Sequence, residues 1–208
     1  MIELETYRIA AWDTPLWVLP NRREGRYNSA GVDSTQYLAL HPLTPWAELI
    51  RNEGLAEPDE IDALRPPIWA IRVLLAEPPL QITFDTAGDY GLTADDLVAD
   101  DWGPCQRLAA GFRADPDGPR VFAAPSAALP GTRNLVLLEP KVAIPYLLTP
   151  LDDQDLPVSL IAEDGRAARG LDALIHHRDS TTGHAGLDAW RNDEELLLEE
   201  PVTSHLAG

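Results

Sequence analysis

The chain has 208 residues, of which 45% are hydrophobic and 24% charged, an ordinary composition for a globular protein with a sizeable core. Its 16 basic and 34 acidic side chains give a net charge of −18. This charge argues against direct binding to nucleic acid or to an anionic membrane surface, since both need a basic face. An acidic surface confers solubility, and it would also suit a cationic protein partner.

The N-terminus and the cysteine content indicate a cytoplasmic protein. Residues 1–5 show no basic region followed by an apolar one, so we expect no secretory signal. Elsewhere, no apolar run is long enough to span a bilayer. Cys105 is the only cysteine in the sequence, which excludes an intrachain disulfide. No motif surrounds it, so we expect a buried small side chain rather than a nucleophile.

Alternating apolar and polar residues predict a series of short strands. The clearest covers residues 68–75, where apolar side chains alternate around Arg72. Residues 12–31 contain two prolines and two glycines, which predict an irregular segment with turns. Further strands are predicted at residues 4–11, 36–40, 81–84, 120–124, 135–138 and 158–162.

Capping residues and apolar spacing predict helices between these strands. Thr44 suits an N-cap, Pro45 the first helical position and Gly54 the end of that helix. The acid-rich stretch 85–101 predicts a loop with a short helix capped at Thr93. Two more helices are predicted at residues 105–112 and 166–175. Because strands and helices mix without regular alternation, the predicted fold class is α+β, with a mixed sheet core and flanking helices.

Three residues with complementary chemistry lie eleven positions apart: Arg26, Tyr37 and Glu48. A guanidinium can hold a diphosphate through two hydrogen bonds, and a ring can stack on a flat heterocycle. A carboxylate can stabilise a sugar cation as its glycosidic bond breaks. Taken alone, the same pattern would usually be a surface arginine, a core tyrosine and a glutamate near a helix start.

The ordered set of motifs around these residues resembles the RES domain family. Gly25-Arg26-Tyr27-Asn28 with Gly31 is similar to the family's Gly-Arg-aromatic-Asn-x-x-Gly segment. Residues 7–9 resemble the family's opening strand and residues 37–40 its second strand. Residues 47–49 resemble the helix that carries the glutamate, and residues 121–137 the serine segment. The resemblance covers residues 5–140 in order. The chain departs from the family at Leu138-Glu139-Pro140, where an aromatic-Asn ending is usual, and it continues to residue 208.

The resemblance implies an ADP-ribosyltransferase-like fold and an NAD-degrading enzyme. In that family the reaction is phosphorolysis, which releases nicotinamide and ADP-ribose 1″-phosphate, so NAD is a substrate, inorganic phosphate a co-substrate, and no cofactor or metal is expected. The implied role is the toxin of a toxin–antitoxin pair whose partner is a DNA-binding antitoxin. Catalytic residues are then Arg26, Glu48 and Ser126, and substrate-binding residues are Arg8, Tyr27, Asn28 and Tyr37.

Several alternatives stay open at this point. The acceptor could be water or a protein, giving a glycohydrolase or an ADP-ribosyltransferase, or the chain could be a RES-like scaffold without turnover. Tyr27 could serve packing, and Asn28 the local turn. His176, His177 and His184 lack a further ligand at a diagnostic spacing, so a metal site is not expected.

The predicted organisation is a catalytic domain at residues 1–145 and a C-terminal extension at residues 146–208, packed on the same domain. The acidic end, residues 193–200, is either a solvated tail or a docked final element. No oligomeric state is predicted.

Overall fold

A mixed β-sheet forms the centre of the fold in the computed structural model, which describes residues 2–10, 21–138, 159–162, 167–168, 170–196 and 198. The strands are β1 (Ile2–Ile9), β2 (Thr35–Ala39), β3 (Ile68–Leu75), β4 (Leu80–Gln81), β5 (Val121–Pro125), β6 (Arg133–Leu138) and β7 (Ser159–Ala162). They pair in the order β4-β5-β6-β2-β1-β3-β7. Strands β4 and β5 run parallel, and the other neighbouring pairs run antiparallel. The predicted α+β class is confirmed.

The strand predictions are confirmed with shifted ends, and β3 agrees residue for residue. The exception is the strand predicted at 81–84, which ends at Gln81. Beyond it, Thr83 and Thr86 each accept a hydrogen bond from the other's backbone N–H, at 3.2 and 2.9 Å. Threonine side chains that satisfy the backbone in this way compete with a strand ladder, so the chain turns instead.

Four helices flank the sheet in the described part of the chain: α1 (Thr44–Glu53), α2 (Pro58–Ala63), α3 (Gly103–Ala114) and α4 (Ala185–Arg191). Short 3₁₀ turns occupy Ala87–Tyr90, Asp95–Leu97 and Asp172–Leu174. The prediction of a helix at 166–175 is wrong for its described residues, which contain only the last of these turns. Helices α2 and α4 were not predicted.

The caps of α1 and of the turn at Asp95–Leu97 test the capping predictions. Thr44 is the first helical residue, not the N-cap, because its hydroxyl donates to Thr132 Oγ1 at 2.9 Å instead of accepting from the helix. Gly54 ends α1 as predicted, with φ of +67°, which a glycine adopts without strain. Thr93 caps the short turn, since its hydroxyl accepts from Asp96 N at 3.2 Å.

The core lies on both faces of the sheet. Phe122 and Val136 face one another across β5 and β6 and pack against α3, where Cys105 is fully buried as predicted. Their neighbours in the strands point to the opposite face, because strand side chains alternate. A further cluster joins α1 to the C-terminal part of the chain, where Ile50 packs with Leu171. The C-terminal residues therefore help to fix the position of α1.

Some predictions fall wholly or partly outside the described residues. The irregular segment at 12–31 is described from residue 21 onward, and the acidic end at 193–200 is described up to Leu196 and at Leu198. Leu198 packs against the cluster that contains Ile50. No helix among the described residues has the length and apolar character needed to cross a membrane.

Candidate active site

The Glu48 carboxylate is fixed by two hydrogen bonds from the sheet. Ser126 Oγ donates to Glu48 Oε1 at 2.8 Å, and Asn134 Nδ2 donates to the same oxygen at 2.9 Å. Glu48 lies on α1, Ser126 directly follows β5, and Asn134 lies in β6. The side chain is half-buried, so it is oriented by the fold and still reaches solvent.

Ser126 lies beneath the site and not in it. Its side chain is 0% exposed, and its hydroxyl oxygen accepts from the backbone N–H groups of Ala128 and Leu129 at 3.2 and 3.1 Å. A hydroxyl has a single proton to donate, and this one is committed to Glu48. This arrangement gives Ser126 a positioning role, in which the serine orients the carboxylate, and its predicted contact with ribose or phosphate stays a prediction.

Tyr37 closes a tight turn that requires glycine at residue 25. Tyr37 Oη donates to Asn28 Oδ1 and accepts from the backbone N–H of Tyr27, both at 2.9 Å. A Cβ at Gly25 would lie 2.5 Å from Asn28 Oδ1 and 2.9 Å from Tyr37 Oη, so any other residue would displace these side chains and disturb their hydrogen bond. Burial raises the pKa of Tyr37 well above its usual value, and the phenol therefore stays a donor to Asn28.

Asn28 and Tyr27 serve the structure around the site. Asn28 is 1% exposed, and its amide donates to the backbone carbonyl of Arg23 at 3.0 Å. The ring of Tyr27 is 2% exposed and meets Phe122 edge-on, with centroids 4.9 Å apart. Of the two functions considered for each, the structure shows local turn stabilisation for Asn28 and packing for Tyr27. The ring of Tyr27 packs in the core, and the predicted contact of this residue with substrate stays a prediction.

Arg26 is held by neutral groups. Its Nη1 donates to the Asp96 carbonyl at 3.1 Å and its Nη2 to the Ala99 carbonyl at 2.8 Å. Carbonyl oxygens orient a guanidinium without neutralising its charge. Arg26 therefore brings a fixed net positive charge to the site.

Arg51 is a second arginine at the site, and the sequence analysis missed it. It is 3% exposed, donates to Asp100 Oδ1 at 2.6 Å and also donates to the backbone carbonyl of His176. Burial lowers its pKa below the usual arginine value, and the charge of Asp100 opposes that shift. Arg51 lies three residues after Glu48 on α1, a spacing that places both on one side of a helix.

These groups line a pocket of about 770 Å³, a size typical of small-molecule sites. Arg26, Tyr27, Asn28, Tyr37 and Glu48 all contribute to its wall, so five of the seven predicted residues meet there. Although the chain as a whole is acidic, this wall carries five arginines against three glutamates. The arginines are Arg22, Arg23, Arg26, Arg51 and Arg178.

Arg8 lies apart from this group, in a smaller pocket of about 290 Å³. Glu48, Tyr37 and Asn134 line both pockets, so the two spaces adjoin at the carboxylate. Burial lowers the pKa of Arg8 below its usual value. The structure thus brings Arg8 next to the site but not onto the wall that carries Arg26.

The C-terminal residues reach the site through His184. This imidazole is 4% exposed. Its Nδ1 accepts from the backbone N–H of Leu187 at 3.2 Å, and its Nε2 lies 3.1 Å from the Ser126 carbonyl oxygen. Nδ1 therefore acts as acceptor and Nε2 carries the proton. Burial lowers the pKa of His184 to about 4, with a smaller contribution from the nearby His176. Among the described residues, no three His, Cys, Asp or Glu side chains are grouped to hold a metal ion.

The missed residues differ in how visible they are in the sequence. Arg51 could have been found from helical spacing, and Asn134 from its polar side chain in an otherwise apolar strand. His184 and Arg178 are brought to the site by tertiary contacts with residues more than fifty positions away, and no local sequence pattern indicates them.

Comparisons with known proteins show the family and the fold of the chain. A family model described as "RES domain" matches residues 5–161. Among solved structures, the chain is similar to a chain from the crystal structure of the M. tuberculosis MbcT–MbcA toxin–antitoxin complex. The TM-score is 0.56 with 19% sequence identity, over 78% of this chain and 86% of that one, a likeness of fold. No curated protein gives a significant match.

Proposed function

Because the chain belongs to the RES domain family, we propose that it is an NAD phosphorylase and the toxin of a toxin–antitoxin pair. The observation that carries the enzymatic part is the Glu48 carboxylate, fixed by Ser126 and Asn134 at the wall of an arginine-lined pocket. The proposed catalytic unit is residues 1–145 with a C-terminal extension at residues 146–208, of which the described strand β7 belongs to the central sheet. We expect the enzyme to act in the cytoplasm.

Glu48 acts on the ribose of the nicotinamide half. When the bond between the nicotinamide nitrogen and ribose C1 breaks, the electron pair leaves with nicotinamide and neutralises its positive ring. No general acid is needed, so catalysis rests on stabilising the cationic ribosyl centre. Since Ser126 and Asn134 both contact Oε1, Oε2 is the oxygen assigned to the ribose.

Arg26 binds the diphosphate. Its two carbonyl partners hold the guanidinium in place and leave its charge intact, which suits an anionic ligand in an acidic protein. Inorganic phosphate then attacks ribose C1 through oxygen, and the new C–O bond gives ADP-ribose 1″-phosphate. The small pocket with Arg8 adjoins Glu48 and is the space we assign to that phosphate.

Nicotinamide release by the purified protein, with and without inorganic phosphate, tests the enzymatic part. We expect phosphate-dependent release, and a fall in kcat by roughly 10²–10³-fold in Glu48→Gln, the scale of losing an electrostatic stabiliser. Arg26→Ala should raise the KM for NAD. Glu60→Gln, on the exposed surface of α2, is the matched control. Release that needs no phosphate would make the protein a glycohydrolase, and no release at all would favour a scaffold without turnover.

Growth measurements test the toxin part. Expression should arrest growth of the host, Glu48→Ala should relieve the arrest, and Glu60→Gln should not. The net charge of −18 suits a cationic partner, which is consistent with a DNA-binding antitoxin. Normal growth with an active enzyme would separate the activity from toxicity and contradict the toxin role.

A further inference from the structure

Arg178 and Trp102 form a stacked pair on the wall of the large pocket, apart from the residues assigned to the ribose and the diphosphate. The guanidinium carbon of Arg178 lies 4.5 Å from the centroid of the Trp102 ring, and both residues line the pocket that contains Glu48. Arg178 lies beyond residue 161, where the match to the RES domain model ends. Trp102 lies within the matched residues, so the C-terminal part of the chain contributes only the arginine of the pair.

The segment that carries Arg178 is tied to the pocket at three points. Arg178 Nη2 donates to Asn52 Oδ1 at 3.1 Å, and the backbone N–H of Asp179 donates to Asp100 Oδ2 at 3.0 Å. Arg51 donates to the backbone carbonyl of His176. A guanidinium held by a hydrogen bond and a ring contact has little freedom left to lose when a ligand binds.

Arg178 contacts α1 about one helical turn after the carboxylate. Asn52, which holds Arg178, lies four residues after Glu48 on α1, roughly 6 Å along the helix axis. Arg51 lies between Glu48 and Asn52 in the sequence of α1. The wall of one pocket therefore carries the carboxylate, Arg51 and the Arg178–Trp102 pair.

The stacked pair presents a flat cationic surface to the pocket. One face of the guanidinium covers Trp102, and the residue as a whole is exposed, so its other face is accessible. Aromatic bases stack on guanidinium planes as they do on indole rings. The nicotinamide ring has its place at Glu48, so the base that reaches this surface is adenine.

We propose that Arg178, supported by Trp102 and Asn52, forms the subsite that binds the adenine of the dinucleotide. This rests on the proposed function for the identity of the ligand. The subsite gives selectivity for a dinucleotide over nicotinamide mononucleotide, which has the same scissile bond but no adenosine.

Arg178→Ala tests the subsite, with Arg65→Ala, an arginine outside the pocket, as the control. The loss of a stacked cation should raise the KM for NAD roughly tenfold with little change in kcat. The KM for nicotinamide mononucleotide and the KM for phosphate should stay unchanged. The Kd for ADP-ribose, measured by calorimetry without turnover, should rise by the same factor as the KM for NAD. Arg178→Lys should resemble Arg178→Ala, because an ammonium keeps the charge and lacks the plane.

The outcomes separate the two proposals. An unchanged KM for NAD, an equal effect on nicotinamide mononucleotide, a raised KM for phosphate, or full binding by Arg178→Lys would each overturn the adenine subsite. If the wild-type protein cleaves neither nucleotide, the phosphorylase proposal fails. The ADP-ribose titration still decides the subsite in that case, since tight binding weakened by Arg178→Ala supports it and unchanged binding overturns it.

Discussion

The carboxylate and the arginines of the pocket are positioned in different ways. The carboxylate wall consists of Glu48, Ser126 and Asn134, and the arginine wall of Arg26, Arg51 and Arg178. In the carboxylate wall, neutral side chains from the sheet hold the glutamate, and the supporting serine is fully buried. In the arginine wall, loop carbonyls, an amide and an aspartate hold each guanidinium separately.

This difference in hydrogen-bond partners shows how a protein with a net negative charge can keep positive charge available to an anionic ligand. Of the three arginines, only Arg51 has a carboxylate partner at hydrogen-bond distance among the described contacts, and it is also the buried one. Arg26 and Arg178 are held by neutral oxygens, so their charges stay available to a ligand. We infer that Arg51 serves the structure of the wall, and that Arg26 and Arg178 serve binding.

Replacing Arg51 is the strongest test of that division. Arg51→Met removes a buried guanidinium and with it the hydrogen bonds to Asp100 Oδ1 and to the His176 carbonyl, whereas Asp100 Oδ2 keeps the backbone N–H of Asp179. Because Asp100 is 39% exposed and can be hydrated, we expect the lower end of the cost of breaking a buried pair, about 3 kcal/mol. Urea unfolding measures it, with Arg65→Met as control. A loss of NAD binding without a loss of stability would instead make Arg51 a ligand contact.

The next largest effect is expected at Ser126. Ser126→Ala leaves the backbone N–H groups of Ala128 and Leu129 without their acceptor and Glu48 without one donor, a cost of about 2 kcal/mol in unfolding free energy. Because the serine acts through Glu48, kcat should fall while the KM for NAD stays unchanged. Ser180→Ala, on the surface, is the control. A raised KM with unchanged kcat would show that Ser126 contacts the substrate after all.

His184, which contacts the Ser126 carbonyl beneath the carboxylate wall, predicts that the unfolding free energy depends on pH. Burial lowers its folded pKa to about 4 from 6.5, so the unfolded chain binds the proton more readily. Stability is full above pH 6.5 and falls as the pH drops toward 4; the loss between pH 7 and pH 5 is about 2 kcal/mol. The nearby His176, Arg51 and Arg26 oppose its protonation, and the hydrogen bond to the Ser126 carbonyl partly offsets this by favouring it. In His184→Gln, the urea midpoint should vary less with pH across this range. If the midpoint varies with pH as much as in the wild type, the dependence belongs to other groups.

The sequence predicted Glu48 and Ser126 of the carboxylate wall but only Arg26 of the arginine wall, for a physical reason. These three residues lie within short motifs, so they are visible without the fold. Arg178 becomes part of the pocket only because its segment folds back onto Asn52, 126 residues earlier. The same limit explains Thr44, whose local pattern predicts a cap and whose hydroxyl bonds to Thr132, 88 residues away. Local patterns predict elements, whereas such long-range contacts need the packed structure.

The smallest expected effect separates fixed geometry from general positive charge. Arg23 also lines the pocket, but its pairing with Glu53 is at the surface, where the two side chains are 83% and 45% exposed. Surface pairs of this kind contribute little, so Arg23→Ala should change the unfolding free energy by less than about 0.5 kcal/mol. If binding depends on guanidiniums that are held in place, Arg23→Ala should weaken ADP-ribose binding far less than Arg178→Ala does. ADP-ribose binding is measured by calorimetry at two salt concentrations. Equal losses of affinity in the two variants would mean that diffuse positive charge attracts the ligand and that the hydrogen bonds holding the arginines do not contribute to binding.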